Sequence, residues 1–147
     1  MDSRSWTSTC SGGTHVVGES RVPIKQGGDI ITARQQGRAL AAQLGFSSAD
    51  QTLIATAISE MARNILVYAK VGEIIVRPEH NGKAGITIIA HDAGPGIPDI
   101  NRAMQNGYST SGSLGVGLPG TKRIMDEFLI VSEVGKGTTV TMKKWKT

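Results

Sequence analysis

Asp92-Ala93-Gly94-Pro95-Gly96-Ile97 opens, and Gly115-Val116-Gly117-Leu118-Pro119-Gly120 closes, a stretch that carries seven of the chain's 19 glycines. The aspartate follows directly on an apolar, strand-like run, Ile86-Thr87-Ile88-Ile89-Ala90-His91, and the last glycines lie at the mouth of an expected helix. Glycine at this density gives up backbone order. A functional reason is that bare amides must approach an anionic ligand closely.

The second half of the stretch matches G-x-G-x-x-G, which is weak by itself. A dinucleotide site needs its first glycine immediately after a strand within a βαβ unit. Here the glycines follow Asn106-Gly107-Tyr108-Ser109-Thr110-Ser111-Gly112-Ser113, a loop composition, so the dinucleotide reading fails on context. The G-x-x-x-x-G-K-[ST], H-E-x-x-H and C-x-x-C patterns are absent, and the single Cys10 with the separated His15, His80 and His91 does not suggest a metal cluster.

Outward from the glycines, period and punctuation give the elements. Glu19 to Ile24 reads as a strand, with Pro23 placing it at an edge. Asp29 precedes an apolar stripe at helical spacing (Ile30, Ala33, Gly37, Leu40, Leu44) that ends at Gly45, predicting a helix over about 30–44. Ser48-Ala49-Asp50-Gln51 has the form of a capping box with Ser48 as N-cap. The helix it starts runs through Ile54, Ala57, Ile58, Met61 and Ile65 to about Ala69. At about 100° per residue, Glu60 and Asn64 fall about 40° apart on the border of the apolar arc. Helix position alone favours two solvated residues over a site. Strands are expected at Glu73–Arg77 and Ile86–Ala90 with a turn at Asn81-Gly82, and at Phe128–Val134 and Thr138–Met142 with a hairpin at Gly135-Lys136-Gly137. A third helix is expected over Leu118 to Glu127. The order β, α, α, β, β, loop, α, β, β predicts an α+β two-layer sandwich, a mixed, mostly antiparallel sheet covered on one face by helices.

The 147 residues suffice for one core, and with 39% apolar but only 4% aromatic residues that core must be aliphatic. Residues 1–14, rich in Ser, Thr and Gly, read as a disordered tail in which Trp6 is a solvated residue or a docking anchor; residues 15–147 form the domain. The lone cysteine fits a reducing setting, and neither a signal-peptide core nor a run of about 18 apolar residues occurs, so a cytoplasmic protein without a membrane partner is expected. The net charge of +4 is spread out, without a basic stripe interleaved with aromatics, which argues against nucleic acid as partner.

Glu60-Met61-Ala62-Arg63-Asn64, Asp92-x-Gly94-x-Gly96, Gly115-x-Gly117 and Gly135-x-Gly137-Thr138 occur in the order of the N box and three glycine boxes of the GHKL (HATPase, Bergerat-fold) superfamily, which the chain resembles over about residues 20–145. Within it, Ile30-Ile31-x-Ala33-Arg34-Gln35-x-Gly37-Arg38, Ala57 to Ile65, Asp92 to Ile100 and Gly107 to Gly112 resemble the RsbT family. These are small serine/threonine kinases of bacterial partner switching that serve the stressosome, an assembly of STAS-domain proteins.

The resemblance implies ATP and Mg²⁺ as cofactors. It assigns Asn64 to Mg²⁺, Glu60 to the base or orienting group for the incoming hydroxyl, and Asp92 to the adenine amino group with Thr138 as helper through water. Asp-x-Gly also makes Asp92 a turn-starting residue on its own account. Gly94 and Gly96 let the base pack on backbone. Residues 107–117 become an ATP lid, with Gly112, Gly115, Val116 and Gly117 turning backbone toward phosphate. Ser109 and Thr110, like Ser111, either donate hydroxyls to phosphate or are solvated. Arg63 and Lys122 either neutralise phosphate or form structural or surface ion pairs. Related anti-sigma kinases carry a lid arginine, whereas no Arg or Lys lies between Gly107 and Gly117 here.

The expected activity is transfer of the ATP γ-phosphate to Ser or Thr of STAS-domain partners of the scaffold and antagonist types. Release of the kinase to bind an output protein such as a PPM-type phosphatase would follow. The alternatives are an anti-sigma factor kinase, a nucleotide-binding module without transfer, and a histidine kinase catalytic domain.

Overall fold

The computed structural model describes residues 19–97 and 117–146. Strand β1 (Ser20–Ile24) leads into helices α1 (Gly27–Gln43) and α2 (Ser48–Asn64), and α2 continues as a π-helical turn, Ile65–Ala69. The hairpin of β2 (Gly72–His80) and β3 (Ala84–Asp92) follows, then α3 (Gly117–Ile124) and the hairpin of β4 (Glu127–Glu133) and β5 (Gly137–Trp145). The five strands form one sheet in the order β1-β2-β3-β5-β4. All four pairings are antiparallel: β2–β3 and β4–β5 are hairpins joined by short turns, β1 and β2 are joined through α1 and α2, and the chain after β3 returns at the far edge as β4. Pro23 lies on edge strand β1, as its missing N–H requires.

Alternation along the strands sends Val22, Ile24, Ile74, Val76, Ile86, Ile88, Ala90, Val140 and Met142 to the helix-covered face, all buried. Helix α1 meets them with Ala33, Leu40 and Ala41, and α2 with Ile54, Ala57, Ile58, Met61 and Ala62. The core is aliphatic, as the composition demanded. The opposite face of the sheet leaves Leu129 and Val131 of β4 exposed.

Two helix starts differ from their sequence expectations. Helix α1 begins at Gly27, with Asp29 inside its first turn rather than ahead of it. The Asp29 carboxylate reaches back to accept from the backbone N–H groups of Lys25 (2.8 Å) and Gln26 (3.1 Å), where an anion also complements the helix dipole. The Gly27-Gly28 pair, a poor helix former, disguises this turn as loop. The N-cap of α2 is Ser47, not Ser48: the Ser47 hydroxyl accepts from the Asp50 N–H at 3.1 Å. Adjacent serines offer two frames, and Gln51 resolves them by donating to the Phe46 carbonyl (3.0 Å) instead of serving a cap. The last helix is shorter than expected, ending at Ile124.

Candidate ATP and phosphoryl-transfer site

Helix α2 carries Glu60 and Asn64 in its last turn, and α3 packs against α2. That contact overturns the solvated reading of Glu60, which is 6% exposed. A buried carboxylate must be satisfied, and both oxygens are engaged. Oε2 forms an ion pair with Arg63, three residues on, and Oε1 accepts from the Gly117 N–H at 3.2 Å. Gly117 opens α3, so its N–H is one of the helix-start donors without an intrahelical acceptor. Glu60 therefore lies at the positive end of α3. Asn64, one turn beyond Glu60, is half-buried.

The π-helical turn after Asn64 ends at Lys70, whose φ of 74° turns the chain into β2. One end of this turn touches the aspartate-glycine loop: a Cβ on Gly94 would come within 2.5 Å of the Ala69 Cβ, so only glycine lets the two backbones meet. The N-box helix and the loop after β3 thereby form one packed unit.

Asp92 ends β3, half-buried, and its Oδ1 accepts from the Gly94 N–H at 2.9 Å. The turn-starting role is thus present. It uses one oxygen and leaves Oδ2 without a hydrogen bond among the described residues. In the β3–β5 register Asp92 faces Thr138, and in the β4–β5 register Thr138 faces Ser132. The three side chains therefore form a row on the helix-covered face, with the Ser132 and Thr138 hydroxyls 2.8 Å apart. Ser132 also accepts from the Ile97 N–H (2.7 Å), and Gly135 N–H donates to the Pro95 carbonyl (2.8 Å). The β4–β5 hairpin thus holds the loop at 92–97. Gly96 has a φ of 80° and lies under Glu133. Gly137 has a φ of 118°, and a Cβ there would overlap the Asp92 carbonyl oxygen.

The structure therefore brings Glu60 to Gly117 and Asp92 to Thr138, with Gly94 and Gly96 between the N-box helix and the last hairpin. Ser109, Thr110, Gly112, Gly115 and Val116, and the rest of the lid reading apart from Gly117, lie outside the described residues, as does the tail at 1–14. Sequence reasoning missed Ser132 and Ala69. Only the pairing register singles out Ser132, and Ala69 looks like an ordinary helix residue.

No group of three or more His, Cys, Asp or Glu side chains suited to hold a metal occurs among the described residues. A site that supplies an Asn64 amide oxygen next to a carboxylate suits Mg²⁺, which takes hard oxygen ligands and keeps several waters beside phosphate. The free Asp92 oxygen next to bare glycine backbone suits an amino-bearing flat base. The donor set fits Mg²⁺ and ATP.

An N-box helix and glycine loops on an antiparallel α+β sandwich define an ATPase class, and residues 49–147 match the model of the histidine kinase-, DNA gyrase B- and HSP90-like ATPases. The chain belongs to that family. It is 54% identical over 128 residues to the serine/threonine-protein kinase RsbT of Bacillus subtilis, covering 86% of this chain and 96% of the relative. It is 34% identical over 124 residues to the anti-sigma F factor of Geobacillus stearothermophilus, covering 76% and 81%. Among solved structures, the RsbU and RsbW domains of Rv1364c from Mycobacterium tuberculosis superpose with a TM-score of 0.60 at 20% identity, over 86% of this chain and 32% of that one, a likeness of fold. No helix among the described residues is long and apolar enough to cross a membrane.

Proposed function

We propose that the chain is an ATP- and Mg²⁺-dependent protein serine/threonine kinase of a bacterial partner-switching pathway, acting in the cytoplasm on STAS-domain proteins. In this reading a downstream output protein, such as a PPM-type phosphatase, binds the kinase once it is released. The observation that carries the reading is the buried Glu60 carboxylate, one turn before Asn64 and against the first N–H of α3. Family membership and the 54% identity to a serine/threonine kinase support the same assignment.

Asp92 accepts from the adenine amino group with Thr138 and Ser132 beside it, and Gly94 and Gly96 give the base a flat backbone surface. Asn64 contributes an oxygen to Mg²⁺, which neutralises phosphate charge. Phosphoryl transfer is mostly positioning and charge stabilisation, and Glu60 supplies the positioning: it orients the acceptor hydroxyl and receives its proton. Gly117 offers its N–H to phosphate at the start of α3.

Incubation with labelled ATP, Mg²⁺ and a co-purifying STAS protein tests the reading, with phosphosite mapping on the product. Measurable ATP binding without label transfer to any serine or threonine overturns it. The matches to anti-sigma F factors favour one second reading, an anti-sigma kinase. Recovery of a sigma factor, in place of a STAS protein, in a pull-down would select it.

A further inference from the structure

Glu60 is held by two donors that a phosphate could claim: the Arg63 guanidinium and the Gly117 N–H. The Glu60 side chain is 8% exposed, whereas the Arg63 side chain is 37% exposed and carries its guanidinium on a long, flexible stem. The sequence between Gly107 and Gly117 supplies no Arg or Lys, so a side-chain cation acting on the transferring phosphate beside Mg²⁺ comes from another segment. Arg63 stands next to Asn64 in the chain and so at the same turn of α2.

We propose that Arg63 exchanges partners during the reaction cycle: it is paired with Glu60 in the arrangement seen here, and it pairs with the γ-phosphate when Mg²⁺–ATP is bound. This inference rests on the kinase reading above. A guanidinium matches two phosphate oxygens at once, and a triphosphate brings more charge than one carboxylate. The phosphate is therefore the stronger partner. The exchange has a second consequence: it uncovers the Glu60 oxygen that an acceptor hydroxyl must reach. The acceptor oxygen then bonds to the γ-phosphorus, the bond from that phosphorus to the bridging oxygen of ADP breaks, and the hydroxyl proton passes to Glu60. A carboxylate paired with arginine until ATP arrives also protects against unproductive engagement of an acceptor.

Binding distinguishes this role from a merely structural ion pair. The full chain is titrated by calorimetry, with Mg²⁺ present, against ADP and against a non-hydrolysable ATP analogue. Replacing Arg63 by Ala should weaken the triphosphate about tenfold, the loss of one charge-assisted contact, and leave ADP within about twofold. In Glu60→Gln a neutral amide holds the guanidinium less tightly than the carboxylate does, so the triphosphate should bind about threefold more tightly or better. The double variant Glu60→Gln/Arg63→Ala should abolish that gain. Arg63→Lys keeps the charge but not the fork and should fall between wild type and Ala, which guards against a misfolded Ala variant.

An unchanged ratio of triphosphate to ADP affinity across these variants overturns the partner exchange while leaving the nucleotide site intact. A ratio lost in Lys122→Ala but kept in Arg63→Ala assigns the phosphate cation to Lys122 and overturns it too. If the wild-type chain binds neither nucleotide, the site reading itself falls, and the inference with it.

Discussion

Gly137→Ala should damage both the fold and the nucleotide site, and its neighbour Gly135→Ala supplies the control. Gly137 has a φ of 118° and Gly135 a φ of 83°, so each alanine takes up backbone strain. Their surroundings differ. A Cβ at Gly137 overlaps the Asp92 carbonyl oxygen and crowds the Ala93 Cα at 2.8 Å, whereas a Cβ at Gly135 meets nothing within 4 Å. Both obstacles at Gly137 are backbone, which cannot turn aside as a side-chain end can. Strain at such a φ costs about 1–3 kcal/mol, and overpacking against unyielding atoms adds about 1–3 kcal/mol. Gly137→Ala should therefore lose about 4 kcal/mol, and Gly135→Ala about 1 kcal/mol. A domain of this kind has only about 5–15 kcal/mol in total. With a urea slope of about 2 kcal/mol/M, the Gly137→Ala midpoint should fall by about 2 M and that of Gly135→Ala by about 0.5 M. Because the displaced atoms belong to Asp92 and Ala93, ATP affinity should fall in Gly137→Ala and persist in Gly135→Ala. Equal midpoint shifts, or a loss of affinity in Gly135→Ala alone, would refute the crowding argument.

Three further outcomes are expected. Glu60→Ala should remove phosphoryl transfer without weakening nucleotide binding; retained transfer of labelled phosphate argues against its base or orienting role. Asn64→Ala should abolish the Mg²⁺-dependent part of ATP affinity, read by titration with and without the metal, and an unchanged metal dependence counts against ligation. Ser47→Ala should cost about 1 kcal/mol of stability by removing the cap on α2, and Ser48→Ala should be nearly neutral. Thermal melts of the two variants separate the frames, and the reverse order would contradict the observed cap.

Sequence by itself determined the order of elements, the aliphatic core and the edge position of β1. Periods of 2 and 3.6, Pro23, and the turns at Asn81-Gly82 and Gly135-Lys136-Gly137 are local signals, and local sterics enforce them wherever the segment sits. It also supplied the spacing of Glu60 to Asn64 and of Asp92 to Gly94 and Gly96, since helix pitch and an Asx turn act within a few residues. The misreadings were local as well: the capping-box form at Ser48 displaced the cap by one residue from Ser47, and Gly27-Gly28 masked the first turn of α1.

Tertiary structure decided what those residues meet. Nothing within α2 distinguishes a solvated Glu60 from a buried one; α3 buries it and supplies the Gly117 N–H from 57 residues away. The row of Asp92, Thr138 and Ser132 exists only through the pairing of β3, β5 and β4, where a shift of one residue would turn Ser132 to the other face. The contact of Ala69 with Gly94 depends on a π-helical turn that no helical pattern announces. The glycines at 92–97 owe their placement to both levels. Their residue type announces a close approach, but the fold alone selects its partners: Ala69 on one side and the β4–β5 hairpin on the other.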